Sequence, residues 1–340
     1  MPGIFTVSLD FELHWGVFDK KDRNSREQCY RNTLNLIPRM LDLFAEYNVH
    51  VTWATVGSLM AGDEQEWKRL KPDLEPDYVV ERYSAYKYAM QNGLPAQYRW
   101  AHFAPEIVKR ILDYPGQELG THTFCHFYCL ELQHRPGAFA ADLQAARQAA
   151  AKFNSKPVSL VFPRNQFNAD CLKTCYENGI RVVRVNPPNW FWSPVNENGA
   201  HFIRKLSRTA DAYIGMGSKH TSYPLQAIII KPGEPILLPA SRFLRPWLSR
   251  YRFANSLRLW RLCRELRTAA IRNECYHLWW HPENFGDYPE QNMKGLRFLL
   301  KHFRRYQEKY GMESWNMGEY AKHLYPVTNN KTIAGTDAVN

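Results

Sequence analysis

The stretch SLDFELHWG, residues 8–16, follows the apolar run GIFTV and carries two acids, Asp10 and Glu12, one residue apart. The run before it reads as a buried strand. Acids at the end of such a strand carry a desolvation cost, so they are either a reactive pair or the point where the strand surfaces. In a strict strand the two share a face, because side chains repeat with period two. One acid could then ligate a metal ion while the other takes a proton from an attacking water. The plain structural alternative makes Glu12 a first-turn or loop residue and Asp10 a cap.

Working outward, β-rich runs at 4–9, 49–56, 118–121, 158–162, 180–185, 235–238 and 275–280 alternate with helical patterns at 25–47, 105–113, 136–153, 168–178 and 255–272. The alternation predicts an α/β fold with a parallel sheet under helices, and seven strands suit a (β/α) barrel better than a short doubly wound sheet. One domain over 1–326 is expected, with long insertions at about 60–102 and 187–234 as binding loops or lids and a small, polar tail over 327–340.

Composition narrows the class. The chain has 340 residues, 45% of them hydrophobic and 14% aromatic, enough for a sizeable core. No run reaches the ~18 apolar residues of a membrane-spanning helix. The opening lacks a basic segment followed by a long apolar core, and the seven cysteines show no framework spacing, so a reduced, cytoplasmic setting is expected. The net charge of +11 favours an anionic partner, although many soluble proteins are basic without using it.

Three more segments place reactive residues after strand candidates. ELGTHTFCH puts His122 and His126 after the third, VSLVFPRNQFN puts Arg164 and Asn165 after the fourth, and CYHLWWHPENFG puts His281 at the end of the last. With the opening stretch, four clusters fall at the carboxyl ends of predicted strands, where parallel α/β barrels assemble their sites. A spacing of four brings both imidazoles onto one face if the segment turns into a helix. Two imidazoles and a carboxylate suit Zn²⁺ or another first-row ion. The same spacing also arises in ordinary helices, and His281 reads equally well as an imidazole packed beside Trp279 and Trp280.

Together these segments resemble the polysaccharide deacetylase superfamily with the NodB-type fold, also called carbohydrate esterase family 4. S-L-D-F-E resembles the first motif of its more divergent branches, with an extra residue between the acids. His122-Thr-Phe-Cys-His126 matches H-[ST]-x-x-H, PRNQF keeps Arg164 of R-x-P without the proline, and HLWWHP resembles the fifth motif. The resemblance implies a distorted seven-stranded (β/α) barrel and metal-dependent removal of an N-acetyl group from a sugar. It implies Asp10 as general base, Glu12, His122 and His126 as metal ligands, His281 as general acid and Arg164 as the residue orienting Asp10. Zn²⁺ is the ion implied first, with Co, Mn, Ni or Fe as alternatives. One departure stands out. The fourth motif sets acids ahead of a tryptophan, whereas Asn186-Pro-Pro-Asn189-Trp190 has amides there. Amides orient an imidazole but do not stabilise its charge as a carboxylate does. Either another acid, with Glu283 the candidate, supplies that charge, or His281 is not the general acid.

Trp190, Trp192 and Asn165 are candidate substrate-binding residues, and Tyr83, Tyr86 and Tyr98 candidates to cover the mouth, although most aromatics in a chain this size are core. The expected substrate is an acetylated glycan precursor, nucleotide- or lipid-diphosphate-linked, of polysaccharide, lipopolysaccharide or capsule biosynthesis. Residues 242–272 interleave arginines with Leu, Trp and Phe, and Glu265 is their only acid. Leu259, Leu262, Leu266 and Ala270 repeat there at helical spacing. The segment reads as a peripheral contact with an anionic membrane or a diphosphate, or as a barrel helix with a solvated basic face. No zinc-finger spacing, RNA-binding aromatic signature or helix-turn-helix is present, so no nucleic acid is expected. Two rival functions share the fold: a carbohydrate-binding protein without catalysis, and a cyclic amide or ureide hydrolase.

Overall fold

The computed structural model describes residues 1–133, 137–186, 221–228 and 230–325. In chain order its strands are β1 (Ile4–Phe11), β2 (Val51–Thr55), β3 (Gln117–Thr121), β4 (Ser159–Val161), β5 (Val182–Val185), β6 (Tyr223–Pro224), β7 (Ile236–Pro239), β8 (Arg242–Phe243), β9 (Glu274–Trp280) and β10 (Glu313–Ser314). They form one sheet in the order β6-β9-β1-β2-β3-β4-β5-β7, with β10 paired to β1 and β8 to β9. All seven strands expected from the sequence are present, and every pairing among them is parallel. The sheet curls. β7 lies along β5, and after Ala240 and Ser241 the same run continues as β8 along β9, so it spans the two edges.

β1 is an interior strand between β9 and β2 and is buried along its whole length, which explains why its sequence shows little alternation. Phe5, Val7, Leu9 and Phe11 pack outward against the helices, in a core with Leu36, Phe44, Leu266 and Phe303. Thr6, Ser8 and Asp10 point the other way, into the curl, where Thr6 Oγ1 meets Tyr320 Oη at 2.8 Å and Ser8 Oγ meets His277 Nε2 at 2.8 Å. The covering helices follow the 3.6-residue period. In Glu27–Glu46, for example, Tyr30, Thr33, Ile37, Met40, Leu41 and Phe44 are buried on one side.

Two helices go beyond the sequence reading. Pro289–Tyr310 covers the outer layer with Leu296, Leu299, Leu300 and Phe303. Met317–Leu324 opens on a capping box made by Asn316 and Glu319, and its Met317 and Tyr320 fill the base of the curl against Ile4, Val161, Val182, Ile236 and Cys275. The insertion at 60–102 carries the helices Glu64–Leu70, Ala85–Asn92 and Arg99–His102, the first two capped by the Asp63 and Ser84 side chains. Most of the 187–234 insertion, including Trp190 and Trp192, and the tail from 326 lie outside the described residues. All seven cysteines are buried and free.

Helix Arg252–Arg272 buries Leu262, Leu266, Ala269 and Ala270 but leaves Leu257 exposed. Leu266→Ala should therefore lower stability by roughly 2–5 kcal/mol, and Leu257→Ala by no more than about 0.5 kcal/mol. Urea unfolding of the two variants checks this, and equal losses would contradict the burial of the helix.

Candidate metal and active site

Asp10 is the penultimate residue of β1, and Glu12 follows the strand at the start of the turn Leu13–Gly16. The turn is held from outside: Glu283 Oε1 accepts the backbone N–H of Glu12 at 3.0 Å and of Leu13 at 2.5 Å. Leu13 takes a left-handed φ of 48°. Gly16 closes the turn, and a Cβ there would overlap the Glu12 carboxylate. The absence of a side chain at 16 thus leaves room for that carboxylate.

β3 ends at Thr121, and the two histidines follow on a bent loop instead of the helix the spacing suggested. Left-handed backbone at Thr123 (φ 66°) and His126 (φ 52°) does the work of a helical turn, bringing the ring centroids to 5.2 Å. Asp142, fully buried on the next helix, fixes the loop by accepting the N–H groups of Phe124 (2.6 Å) and Cys125 (3.2 Å) and the hydroxyl of Tyr86 (2.7 Å). Tyr86 is therefore a core residue beneath the loop and does not cover the mouth.

The donors converge on Glu12 Oε1. His122 Nε2 lies 2.8 Å from it, His126 Nε2 3.4 Å and His281 Nε2 3.6 Å, while His281 Nε2 is 3.8 Å from Asp10 Oδ2. Burial pushes the Glu12 carboxyl upward, but the imidazoles of His281, His126 and His122 outweigh it and hold the group well below the usual carboxylate range. Burial lowers the His126 pKa against the pull of Glu12, favouring the neutral ring that can offer a lone pair. Its Nδ1 meets Tyr128 Oη at 3.1 Å, the kind of partner that orients a ligating imidazole. His122 Nε2 faces Glu12 Oε1 alone, and the buried Nδ1 has no hydrogen-bond partner among the described residues. Buried imidazole nitrogens facing a carboxylate oxygen fit a first-row divalent cation held by Glu12, His122 and His126.

Asp10 has a different partner from the one expected. Arg184, near the end of β5 and inside the curl, donates Nη1 to Asp10 Oδ1 at 2.6 Å and Nη2 to Oδ2 at 2.7 Å. Its Nη1 also reaches Ser8 Oγ at 3.0 Å, and its guanidinium lies 4.1 Å over Trp279. Arg164 instead pairs with Asp19 and stacks 3.8 Å over Tyr128, so it braces the rim beside His126 while Arg184 orients Asp10. The physical reason is direction: Arg184 lies on a strand side chain facing into the barrel, whereas Arg164 (φ 55°) and Asn165 (φ 52°) sit on a left-handed turn after β4. The sequence signal for Arg184 was an arginine inside the apolar run Val182-Val183-Arg184-Val185, since a buried arginine demands a carboxylate.

His281 directly follows β9 with its side chain 29% exposed, packed edge-on to Trp279 and Phe243, and Asn284 Nδ2 lies 3.4 Å from its Nδ1. Burial and then the Glu12 charge push the Glu283 pKa up to about 7. Its Oε1 serves the backbone of the Glu12 turn, which is a scaffolding task, and the carboxylates that face His281 are those of Glu12 and Asp10, at 3.6 and 3.8 Å from its Nε2.

Residues 25–183 match the model of the polysaccharide deacetylase family. That match covers a little under half of the chain, and the fold around it is the NodB-type (β/α) barrel of deacetylases. The matched span includes His122, His126 and Arg164; Asp10, Glu12, Arg184 and His281 lie outside it and join it through the fold. Among solved structures, the fold is similar to a proposed polysaccharide deacetylase from Mycobacterium smegmatis, at 14% identity and TM-score 0.57 over 95% of this chain and 91% of that one. The α-amylase AmyC of Thermotoga maritima is similar at 14% identity and TM-score 0.55, over 96% and 76% of the two chains. PuuE allantoinase is similar at 10% identity and TM-score 0.52, over 94% and 89%. No curated protein matches the chain. Among the described residues no helix is long and apolar enough to cross a membrane.

Two outcomes follow from the loop and turn. Gly16→Ala should weaken metal binding at least about tenfold without touching a ligand, because the added methyl displaces Glu12; titration of the apo chain with Zn²⁺ reads this. Burial pushes the Asp142 pKa up to about 6 from an ordinary 3.8. The folded chain therefore binds a proton there between pH ~4 and ~6 that the unfolded chain releases, so this group's contribution to stability falls as pH rises through that window. Wild type should lose on the order of 3 kcal/mol relative to Asp142→Asn between pH 4 and pH 6.5, measured by urea unfolding of both.

Proposed function

We propose that the protein is a metal-dependent hydrolase that removes an N-acetyl group from a sugar of a glycan precursor. The observation that carries this reading is the convergence of His122 and His126 on Glu12, with a second carboxylate, Asp10, held by Arg184 and faced by His281. One acid is thus placed to ligate and the other to handle protons. A cation held by Glu12, His122 and His126, most simply Zn²⁺, supplies Lewis-acid polarisation of the acetyl carbonyl and acidifies the attacking water when bound.

The chain's own groups do the rest. Arg184 fixes the plane of the Asp10 carboxylate through two parallel bonds, so one oxygen is presented to take the water's proton as general base. His281 presents Nε2 to the same space and, as general acid, returns a proton to the departing amine nitrogen. The scissile C–N bond breaks and the new C–O bond leaves acetate and a free amino sugar. Trp279 and Phe243 wall the His281 side, and Tyr128 and Arg164 wall the His126 side. Asn165 belongs to the same rim as Arg164, and a nucleotide- or lipid-diphosphate-linked acetylated sugar is the substrate class we favour.

Mass spectrometry of metal per chain, combined with acetate release from acetylated amino sugars, tests the reading. Wild type and Asp10→Asn should each hold about one equivalent, with acetate release down roughly 10²–10⁴-fold in Asp10→Asn. His122→Ala should lose the metal and the activity together. Failure of the metal-supplemented wild type to bind any ion would remove the hydrolase reading and leave a carbohydrate-binding role; release of ammonia or ring-opening of a ureide in place of acetate would select the cyclic amide alternative.

A further inference from the structure

Helix Arg252–Arg272 has apolar residues on two sides. Leu262, Leu266, Ala269 and Ala270 are buried against the barrel. The opposite face is set by Phe253, Leu257, Trp260, Arg264, Arg267 and Ile271, whose spacings of four and three keep them in one row along an α-helix. Phe253 is 85% exposed, Leu257 63% and Trp260 55%, and Leu248, just ahead of the helix, is exposed as well. Scattered surface apolars need no explanation, but a row of three on one helix face does. Trp260 lies edge-on to Phe298 and His302, and beside it an open groove of about 310 Å³ runs between Trp247, Leu259 and Lys294.

The charge around this row is predominantly positive, with Glu308 an exposed acid on the neighbouring helix. Arg264 and Arg267 continue the row and have no carboxylate partner among the described residues, while exposed Lys294 and Lys301 lie on the neighbouring helix. The nearby acids face elsewhere: Glu265 is bonded to Arg242, Arg261 and Tyr276, and Glu290 to Arg39. A second copy would bring the same positive charge to the contact, whereas an anionic surface is complementary.

The row also has a direction. Residues 259, 260 and 263 of this helix approach the 295, 298 and 306 positions of Pro289–Tyr310, through Leu259 beside Gly295, Trp260 with Phe298, and Cys263 with Tyr306. The two helices therefore run parallel. Pro289–Tyr310 begins just after His281, so Phe253 and Leu257 lie at the catalytic end of the barrel.

We propose that Leu248, Phe253, Leu257 and Trp260, backed by Arg264 and Arg267, form a docking face that inserts shallowly into an anionic lipid bilayer, with the mouth of the site turned towards the lipid surface. An apolar row at one end of a basic helix has the composition of an interfacial anchor, in which aromatic and leucine side chains enter the headgroup boundary and arginines meet lipid phosphates. The docking stands independently of the reaction assigned to the site.

Co-sedimentation of the full chain with vesicles tests it, using phosphatidylcholine alone and the same with about a third phosphatidylglycerol. Wild type should bind the anionic vesicles, and less as salt rises. Changing Phe253, Leu257 and Trp260 together to Ser should weaken binding at least about tenfold, and Arg264→Gln with Arg267→Gln by roughly fivefold per arginine. All these side chains are exposed, so an unchanged thermal midpoint shows that the variants fold. Three results would overturn the proposal: no binding of wild type at low salt, equal binding by wild type and the triple variant, or wild-type self-association that the triple variant abolishes without any vesicle binding.

Discussion

A guanidinium and a carboxylate meet inside the barrel, and the site is arranged round that meeting. Arg184 and Asp10 come from β5 and β1, which the sheet order separates by four strand steps. In a flat sheet those steps would set them about 19 Å apart. Two bonds of 2.6 and 2.7 Å between them require the sheet to curl until the inward faces of β1 and β5 confront each other. Burying such a pair carries a desolvation penalty that only good geometry and further polar partners offset. Ser8, with His277 behind it, and the Trp279 ring provide those partners. The inner face of β1 is accordingly polar, and its outer face, packed on helices, is apolar.

Above that pair, the chain departs from ordinary backbone. Non-glycine residues with left-handed φ fall into two groups. Asn48, Asn154 and Asn273 belong to the residue type that tolerates the conformation, whereas Leu13, Thr123, His126, Arg164 and Asn165 all lie on the turns that carry the site. Each such residue costs on the order of 1–3 kcal/mol and persists only where its surroundings over-determine it. Glu283 holds the Glu12 turn, Asp142 holds the histidine loop, and Asp19 holds Arg164. These three buried carboxylates lie outside the reacting groups yet set where those groups point.

The fold does not choose the reaction. Structures described as a deacetylase, an α-amylase and an allantoinase share it with this chain at 14% identity or less. What favours the proposed deacetylation is the donor set and the separation of duties between Glu12 and Asp10. The outer surface adds an independent feature, since a helix that completes the core also presents an apolar row to solvent.

Much was legible before the structure. Period and punctuation located all seven strands, because a buried parallel strand leaves a short apolar run between turn signals. The reactive residues stood out because acids and imidazoles directly after such runs are costly unless they are used. Helix Met317–Leu324 was not legible, since its role is to fill a base that exists only once the sheet curls. Arg164 was read as the partner of Asp10 from local motif order, but that pairing is decided by which side of a strand a residue faces and which strands confront each other across the barrel. Arg184, Ser8 and His277 are far apart in sequence and carry no shared motif. The sequence by itself determined the strands, their order of use and the donor types, through burial and periodicity. Only the tertiary structure decided which arginine holds Asp10, how left-handed turns aim the histidines, and which face of helix Arg252–Arg272 stays bare, because each depends on contacts made across the closed curl.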